Sequence, residues 1–289
     1  MGFKTKLKSS LKDILSETEL DLLPRGFQSI GKIMILKLNP DLYSYKAIIA
    51  QKCMELLPSI KAVYLNKGKI EGTFRKPNNM EYIAGENNSL VRHKEHDIIY
   101  SFDFTKIMFS QGNLSERKFL ATLVKDGEII VDMFAGIGYF SLPIGKHSKP
   151  SRIYSIELNP EAYNYLVENV KLNHLEEVIF PINGDCKKEV VKLSHSGIKA
   201  HRVIMGVFPA PKNYIKEALL LVRDEGTTYH YEGVIEKSKY MSLFDDFNKI
   251  TETQDLKCKL LDKRFVKSYG PHLYHTVLDI FVNKIESSY

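Results

Sequence analysis

Two glycines and an acidic residue further along the chain are the residues whose types and spacing could do chemistry. Gly136 and Gly138 lie between a β-branched run at 128–131 and a helix-forming run at 139–146. Glycine at such a strand-to-helix turn lets the backbone take a positive φ and approach a ligand closely. Glu157 follows Gly138 by 19 residues, at the end of a second strand pattern, where its carboxylate could accept hydrogen bonds from both hydroxyls of a ribose. This spacing predicts a site for a nucleoside-containing cofactor.

The residues around this turn favour an adenosine over a pyrophosphate. Ser141 stands in place of the third glycine of the dinucleotide fingerprint, and the aromatic residues Phe134 and Tyr139 flank the glycines. Asp185 follows a third strand pattern and could accept from the exocyclic amino group of adenine, although it could also cap a helix. For the glycines alone an ordinary tight turn is the alternative. Together the residues favour S-adenosylmethionine. The predicted cofactor-binding residues are Asp132, Phe134, Gly136, Gly138, Glu157, Asp185 and Cys186.

Composition and charge narrow the class of protein. The 289 residues are 44% hydrophobic and 26% charged, as in a soluble globular protein, and no apolar run approaches the roughly 20 residues that span a bilayer. The chain is therefore expected to be neither secreted nor membrane-anchored. Three scattered cysteines without a C-x-x-C motif argue against disulfides and zinc and favour the reducing cytoplasm, and no spacing suggests a metal. A net charge of +6 favours a polyanionic partner, with a basic but non-binding surface as the alternative.

Secondary-structure signals divide the chain into two expected domains. Residues 1–105 combine a helical start at 1–23, a buried strand at 33–36 and a helix at 41–57 with strand-like pieces at 62–65, 80–84, 90–93 and 98–104. Such a mixture of helices and antiparallel strands predicts a small α+β domain. Residues 106–289 are expected to form the catalytic domain.

The second half of the chain alternates strand and helix. Strands are predicted at 128–133, 152–157, 178–183, 202–207 and 227–232, with helices at 139–147, 160–172, 187–193, 213–222 and 237–254 and two closing strands at 256–266 and 273–282. Parallel βα units closed by a hairpin predict an α/β fold, a doubly wound sheet with an antiparallel final strand at its edge. Ligands bind such sheets at the carboxyl ends of the strands, which places the candidate residues on one rim.

Five motifs resemble a family of tRNA-modifying enzymes that act on the purine just 3′ of the anticodon. They are SQGNLSER at 110–117, VDMFAGIGYF at 131–140, IELNP at 156–160, ENVKLN at 168–173 and VKSYGP at 266–271. The resemblance covers roughly residues 23–282. It implies a class I methyltransferase (Rossmann-like) fold, S-adenosylmethionine as co-substrate and tRNA as partner. One branch of the family methylates guanine N1, and the other transfers the 3-amino-3-carboxypropyl group of S-adenosylmethionine to 4-demethylwyosine.

Three local differences favour the aminocarboxypropyl branch. Met205-Gly206 stands where the methyltransferase branch has Asn-Leu-Pro, Ser110 lacks a following Pro-Arg, and Tyr139 replaces a proline. The resemblance therefore implies an aminocarboxypropyltransferase of wyosine biosynthesis, with the guanine-N1 methyltransferase as the alternative. The sequence departs from the favoured branch at His230-Tyr231-Glu232, where Glu232 replaces a second histidine. A non-catalytic RNA-binding scaffold is a further hypothesis.

Positioning decides which carbon of the sulfonium is transferred, so the donors that hold the methionyl carboxylate matter. Arg117 is the candidate for this contact, because a guanidinium can bind a carboxylate bidentately, and Ser110 is the candidate hydroxyl. The alternatives are a solvated helix-face charge and a turn residue. Glu116 could accept a proton or cap its helix.

The final hairpin carries the candidates for tRNA contact. Arg264, Lys267, Tyr269 and His272 could contact phosphates or stack on a base, or belong to a solvated hairpin. With Met205 and Gly206 at the rim, Lys267 and Tyr269 complete the predicted substrate residues. We expect a monomer.

Overall fold

The computed structural model of the chain describes residues 2–68, 70–71, 76–109 and 111–285. The chain divides into two compact units. The first comprises Met1–Lys94 and Ile99–Phe109, and the second comprises Glu95–Ile98 and Ser110–Tyr289. Within the described ranges, none of the helices combines the length and the hydrophobicity needed to cross a membrane.

The first unit is built on a four-stranded sheet with the strand order β1-β2-β3-β6. Its elements are α1 (Phe3–Leu11), α2 (Glu17–Leu22), β1 (Gln28–Ile30), β2 (Ile33–Leu36), α3 (Lys46–Leu56), β3 (Ala62–Asn66), β4 (Ile70–Glu71), β5 (Lys76–Pro77) and β6 (Met80–Gly85), followed by the hairpin of β7 (Leu90–Glu95) and β8 (Ile98–Asp103). A 3₁₀ helix, Pro40–Tyr45, precedes α3. The predicted α+β character of this region is present.

Two details of this unit differ from the prediction. The helical start is two helices, because the Ser16 side chain accepts from the amide of Glu19 and the Glu19 carboxylate accepts from the amide of Ser16, a capping box that begins a new helix. Strands β2 and β3 are parallel, whereas antiparallel strands were expected. They are parallel because α3 crosses over between them, as in other βαβ units.

The second unit contains the predicted alternation of strands and helices. Its elements are α4 (Leu114–Leu123), β9 (Ile129–Asp132), α5 (Ser141–His147), β10 (Arg152–Glu157), α6 (Pro160–Leu172), β11 (Ile179–Asn183), α7 (Cys186–His195), β12 (Arg202–Met205), α8 (Ile215–Ala218), β13 (Thr227–Glu236), α9 (Met241–Glu252), β14 (Leu256–Gly270) and β15 (Leu273–Lys284). The helix predicted at 213–222 is divided into α8 and two flanking 3₁₀ turns.

The seven strands of this unit form one sheet in the order β11-β10-β9-β12-β13-β15-β14. Adjacent strands among the first five are parallel, and β15 is antiparallel to both of its neighbours. The predicted antiparallel final strand is confirmed, but its predicted position at the edge is wrong. The position of β15 between β13 and β14 buries its apolar residues Val277, Leu278 and Ile280. It leaves the lysine-rich β14 at the edge, where charged side chains discourage unwanted strand pairing.

The sheet of the second unit has one apolar face and one polar face. On β13, Tyr229 and Tyr231 belong to the main apolar core of the unit, while the alternate residues His230 and Glu232 make polar contacts with Asp279 and His275. Side chains alternate between the two faces of a strand, so the second face of the same sheet carries buried polar groups. These groups lie close to the candidate site.

Candidate active site at the carboxyl end of the sheet

The turn after β9 has the backbone shape that glycine permits. Gly136 has a φ of 57° and Gly138 a φ of 100°, both in the left-handed region that side chains disfavour. A Cβ on Gly138 would lie 2.6 Å from Cγ of Leu142, so a side chain there would also collide with α5. The predicted glycine turn is therefore present.

Glu157 joins this turn to the neighbouring strand. It ends β10, which pairs with β9, and its Oε2 accepts a hydrogen bond of 2.8 Å from the amide of Gly136. Oε1 accepts a 2.7 Å bond from the amide of Asn159. Burial raises the pKa of the Glu157 carboxyl, against these backbone hydrogen bonds, which lower it. Each carboxylate oxygen still has a second lone pair, so the group can also accept from ribose hydroxyls.

Asp132 lies beneath the turn rather than at its surface. The side chain is fully buried, and its Oδ2 accepts a 2.7 Å hydrogen bond from the hydroxyl of Ser141, which in turn accepts one from Ser155. Burial raises the pKa of the Asp132 carboxyl to about 7. Since no part of the side chain is exposed, this geometry does not support the predicted contact between Asp132 and the cofactor. We propose that Asp132 shapes the turn instead.

The predicted adenine-binding residues lie beside the ends of β9 and β11. Phe134 is half-buried, with its ring centroid 5.1 Å from that of Tyr214. Asp185 accepts from the amide of Lys187 and is the N-cap of α7, so its structural role is present, and its predicted adenine contact stays a prediction. Cys186 is buried, and burial raises the pKa of its thiol to about 12. Cys186 is therefore a neutral thiol, and its predicted contact with the cofactor stays a prediction.

Arg117 is buried and ion-paired. Its Nη1 donates hydrogen bonds of 3.1 and 3.0 Å to the two carboxylate oxygens of Glu95, and its guanidinium lies 4.7 Å from the ring centroid of Tyr139. That ring covers Gly136, where a Cβ would lie 2.7 Å from Cε2 of Tyr139. Arg117 is thus linked to the glycine turn and is not a solvated helix-face charge. The predicted carboxylate contact stays a prediction, and Ser110 lies outside the described residues.

A chain of buried charges crosses the polar face of the sheet, and sequence reasoning missed it. Its members are Glu116, Arg264, Asp279, His230, Arg202 and Glu128. Arg264 donates to Glu116 at 2.8 Å and to Asp279 at 2.9 Å, so its guanidinium pairs with acids of the protein, and its predicted contact with tRNA phosphates stays a prediction. Burial raises the pKa of the Glu116 carboxyl despite its bonds to Arg264. Glu116 does not cap its helix.

Within this set, Asp279 is held ionised and His230 is held neutral. Burial raises the pKa of the Asp279 carboxyl, but hydrogen bonds from His230 and Arg264 outweigh it and hold the pKa well below its usual range. Burial lowers the pKa of His230. A neutral imidazole can accept from Arg202 at 2.6 Å, and its Nδ1 lies 2.5 Å from Oδ1 of Asp279.

The predicted substrate residues Met205 and Gly206 lie at the end of β12. Met205 is fully buried in the apolar core with Val203, because strand alternation places both residues on the same face; its predicted contact with substrate stays a prediction. Gly206 follows it at the rim. A Cβ on Gly206 would lie 2.7 Å from Cε2 of Phe140 and 3.4 Å from Oε1 of Glu232. Glycine is therefore needed at this position.

The hairpin residues Lys267 and Tyr269 flank the same end of the sheet. The stem of Lys267 packs on Gly112, where a Cβ would lie 2.7 Å from Cδ of the lysine, and burial lowers the pKa of its ammonium group. Tyr269 is 51% exposed, and its ring centroid lies 5.9 Å from that of Phe208. An exposed aromatic next to a second ring is suited to stacking on a base.

Beneath Gly206, Glu232 and His275 form a second buried pair that was not predicted. Nε2 of His275 lies 2.9 Å from Oε2 of Glu232, and the two residues are 0% and 2% exposed, respectively. The only sign of this pair in the sequence was the glutamate at 232, and its partner could not be inferred because it lies 43 residues away. Among the described residues there is no group of three or more His, Cys, Asp or Glu side chains that could hold a metal ion.

The strand order, the glycine turn and the acid at the end of the second strand define an S-adenosylmethionine-dependent transferase with the class I methyltransferase fold. More specifically, the chain belongs to the TRM5/TYW2 family. The family's methyltransferase domain matches residues 91–261, and the TYW2 N-terminal domain matches residues 7–88. The resemblance predicted from the motifs is confirmed.

Individual relatives come from both branches. The chain is 35% identical over 260 residues to a tRNA(Phe) (4-demethylwyosine(37)-C(7)) aminocarboxypropyltransferase of Methanocaldococcus jannaschii, covering 90% of this chain and 98% of the relative. It is 31% identical to the tRNA (guanine(37)-N(1))-methyltransferase Trm5b of Pyrococcus abyssi, covering 90% and 76%. The crystal structure of P. horikoshii TYW2 in complex with MeSAdo superposes with a TM-score of 0.80 at 31% identity, covering 98% of this chain and all of that one.

Proposed function

We propose that the chain transfers the 3-amino-3-carboxypropyl group of S-adenosylmethionine to carbon 7 of 4-demethylwyosine in tRNA. The observation that carries this proposal is the extent of similarity to the aminocarboxypropyl branch, 35% identity over 98% of the relative's length, together with the match to the TYW2 N-terminal domain. The guanine-N1 methyltransferase is less well supported, since Trm5b is 31% identical and the chain covers only 76% of it.

The chemistry requires one new carbon–carbon bond. Carbon 7 attacks the methylene carbon of the aminocarboxypropyl group that is bonded to sulfur. The carbon–sulfur bond breaks, the sulfur keeps the electron pair, and 5′-methylthioadenosine leaves as a neutral thioether. Carbon 7 then loses its proton and the ring regains its aromatic state. The protein must therefore hold the sulfonium so that this methylene, and not the methyl group, lies in line with the base.

The residues at the carboxyl end of the sheet are suited to this positioning. Glu157 accepts from the ribose hydroxyls, and the backbone at Gly136 and Gly138 lets the cofactor approach closely. Phe134, Asp185 and Cys186 surround the adenine. These assignments rest on the free lone pairs of the Glu157 carboxylate and on the positive-φ turn at Gly136 and Gly138.

The substrate base lies on the other side of the turn in this proposal. Gly206 leaves room for the ring, and the exposed ring of Tyr269 stacks on it or on its neighbour. Arg117 and Ser110 are proposed to orient the methionyl carboxylate, with Arg117 already fixed by Glu95. We also propose that the protein is a cytoplasmic monomer; its three free thiols suit a reducing compartment, and light scattering of the purified protein tests the oligomeric state.

Mass spectrometry of tRNA nucleosides tests the transfer itself. Undermodified tRNA that carries 4-demethylwyosine is incubated with the protein and S-adenosylmethionine, then digested. The proposal expects the modified nucleoside to gain one aminocarboxypropyl group. Gain of one methyl group would refute it in favour of methyl transfer. Calorimetric titration with S-adenosylmethionine separates both enzymes from an RNA-binding scaffold, which would not bind the cofactor.

A further inference from the structure

We propose that a basic-aromatic surface beside the active site binds the tRNA strand that flanks the modified nucleotide. This surface consists of Lys237, Tyr240, Lys263, Phe265 and Tyr274. The identity of the partner, tRNA, rests on the proposed function. The inference goes beyond that function, because none of these residues belongs to the cofactor site or to the predicted substrate residues.

Two ammonium groups lie over three aromatic rings on this surface. Nζ of Lys237 is 4.2 Å from the ring centroid of Tyr274 and 5.2 Å from that of Phe265, and Nζ of Lys263 is 3.8 Å from that of Tyr240. The ring of Phe265 lies 6.3 Å from Tyr240 and 6.0 Å from Tyr274, centroid to centroid. The five side chains therefore form one continuous surface with alternating cations and rings.

The two lysines keep their charge available. Both are exposed, and in the part of the chain that the structure describes, neither forms an ion pair. The acid next to each lysine is paired with another residue, Glu236 with Lys239 at 2.8 Å and Asp262 with Arg264 at 3.0 Å. A contact with a ring face fixes the position of an ammonium group while its three N–H donors remain free for a phosphate. Less side-chain freedom is then lost when an anion binds.

The surface lies at the same end of the sheet as the active site. Lys237 follows β13 directly, on the part of this strand that extends past the end of β12, whose last residue Met205 pairs with Tyr231. Phe265 lies in the second half of β14 and Tyr274 at the beginning of β15, on the hairpin that carries Lys267 and Tyr269. A tRNA strand whose modified base enters the site would pass over this hairpin.

Cations interleaved with aromatic rings match RNA better than other anions. Phosphates pair with the ammonium groups, and an unpaired base of the anticodon loop stacks on the exposed ring of Tyr269 on the same hairpin. An anionic membrane would use the same charges, and membrane binding is therefore treated as an outcome of the test. The net charge of +6 attracts either partner from a distance.

Charge removal with a matched control tests this surface. In the variant Lys237→Gln/Lys263→Gln the stems that cover the rings remain, while both charges are lost. The control Lys257→Gln/Lys259→Gln removes two exposed lysines from the beginning of β14, the strand that carries Lys263. Binding of labelled tRNA is measured by fluorescence anisotropy at several salt concentrations, binding of S-adenosylmethionine by calorimetry, and folding by thermal unfolding.

We expect the first variant to bind tRNA about tenfold more weakly at physiological salt, with a slope of log K against log salt that is shallower by about 1.5, since each lost phosphate contact removes roughly 0.7–0.9. Its affinity for S-adenosylmethionine and its thermal midpoint stay those of the wild type, and the control binds tRNA as the wild type does. Unchanged tRNA binding, or equal loss in both variants, would overturn the proposal.

The assay separates this inference from the proposed function because binding is measured without turnover. If the wild type binds tRNA through this surface but transfers no aminocarboxypropyl group, only the proposed function fails. Binding of both variants to vesicles that contain anionic phospholipid is measured in parallel, which tests a membrane as the alternative partner. Loss of vesicle binding in the first variant, with tRNA binding intact, would assign the surface to a membrane and reject our proposal.

Discussion

Replacement of Asp132 by asparagine should remove a large pH dependence from the stability of the protein. Burial raises the pKa of this carboxyl from its usual 3.8 to about 7. Between these two values the folded state binds more protons than the unfolded state, so the contribution of Asp132 to stability is fully present below pH ~4 and is lost as the pH rises through 7. At higher pH the folded protein must hold a buried charge.

The size of the effect follows from the shift in pKa. A change from 3.8 to about 7 at roughly 1.4 kcal/mol per unit corresponds to about 4 kcal/mol in total, of which about 3 kcal/mol lies between pH 5 and 8. Asparagine has the same shape and stays neutral. It can accept from the amide of Phe134 and donate to the hydroxyl of Ser141, so the hydrogen bonds that Asp132 makes can be replaced.

Urea unfolding followed by circular dichroism measures the difference between Asp132→Asn and the wild type at each pH. The variant should gain about 3 kcal/mol relative to the wild type between pH 5 and 8. Ser141→Ala serves as the second variant. It removes a hydrogen bond that lowers the pKa of Asp132, so the loss of stability should extend to higher pH. A constant difference between Asp132→Asn and wild type at all pH values would refute the reasoning.

Three further changes test other parts of the site. Glu157→Gln should weaken S-adenosylmethionine binding by about tenfold or more, since a charge-assisted hydrogen bond contributes roughly 1.5–3 kcal/mol; equal affinities in calorimetry would remove Glu157 from the cofactor site. Arg264→Met leaves two buried carboxylates without their cation and should lower the free energy of unfolding by about 3–5 kcal/mol, and a stability within about 1 kcal/mol of wild type would argue against the buried ion-pair chain. Gly206→Ala places a Cβ 2.7 Å from a phenyl ring and should slow group transfer while cofactor affinity is kept; wild-type turnover would show that the space above Gly206 is not used.

Those parts of the fold that depend on local sequence were predictable. The strand predicted at 152–157 and the helix at 160–172 have the predicted bounds, because Asn159 caps the helix and Pro160 occupies its first turn. The glycine turn followed in the same way from residue types that permit a positive φ. These features need no information about distant parts of the chain.

Features that depend on distant residues could not be predicted in this way. Arg264 and Glu116 are 148 positions apart, and nothing near either residue indicates the other, so the buried ion pair between them could not be predicted. Met205 lies on a short strand that is buried on both faces, where alternation gives no signal of direction. The insertion of β15 beside β13 is likewise a choice of pairing that neither strand shows alone.

The by-product of the reaction tests the central claim most directly. The protein is incubated with S-adenosylmethionine and undermodified tRNA, and the nucleosides released into solution are separated by liquid chromatography and quantified against the modified tRNA. If the aminocarboxypropyl group is transferred, 5′-methylthioadenosine accumulates in equal amount to the modified nucleotide. Accumulation of S-adenosylhomocysteine instead would contradict the account, because it would show that the methyl group had been transferred.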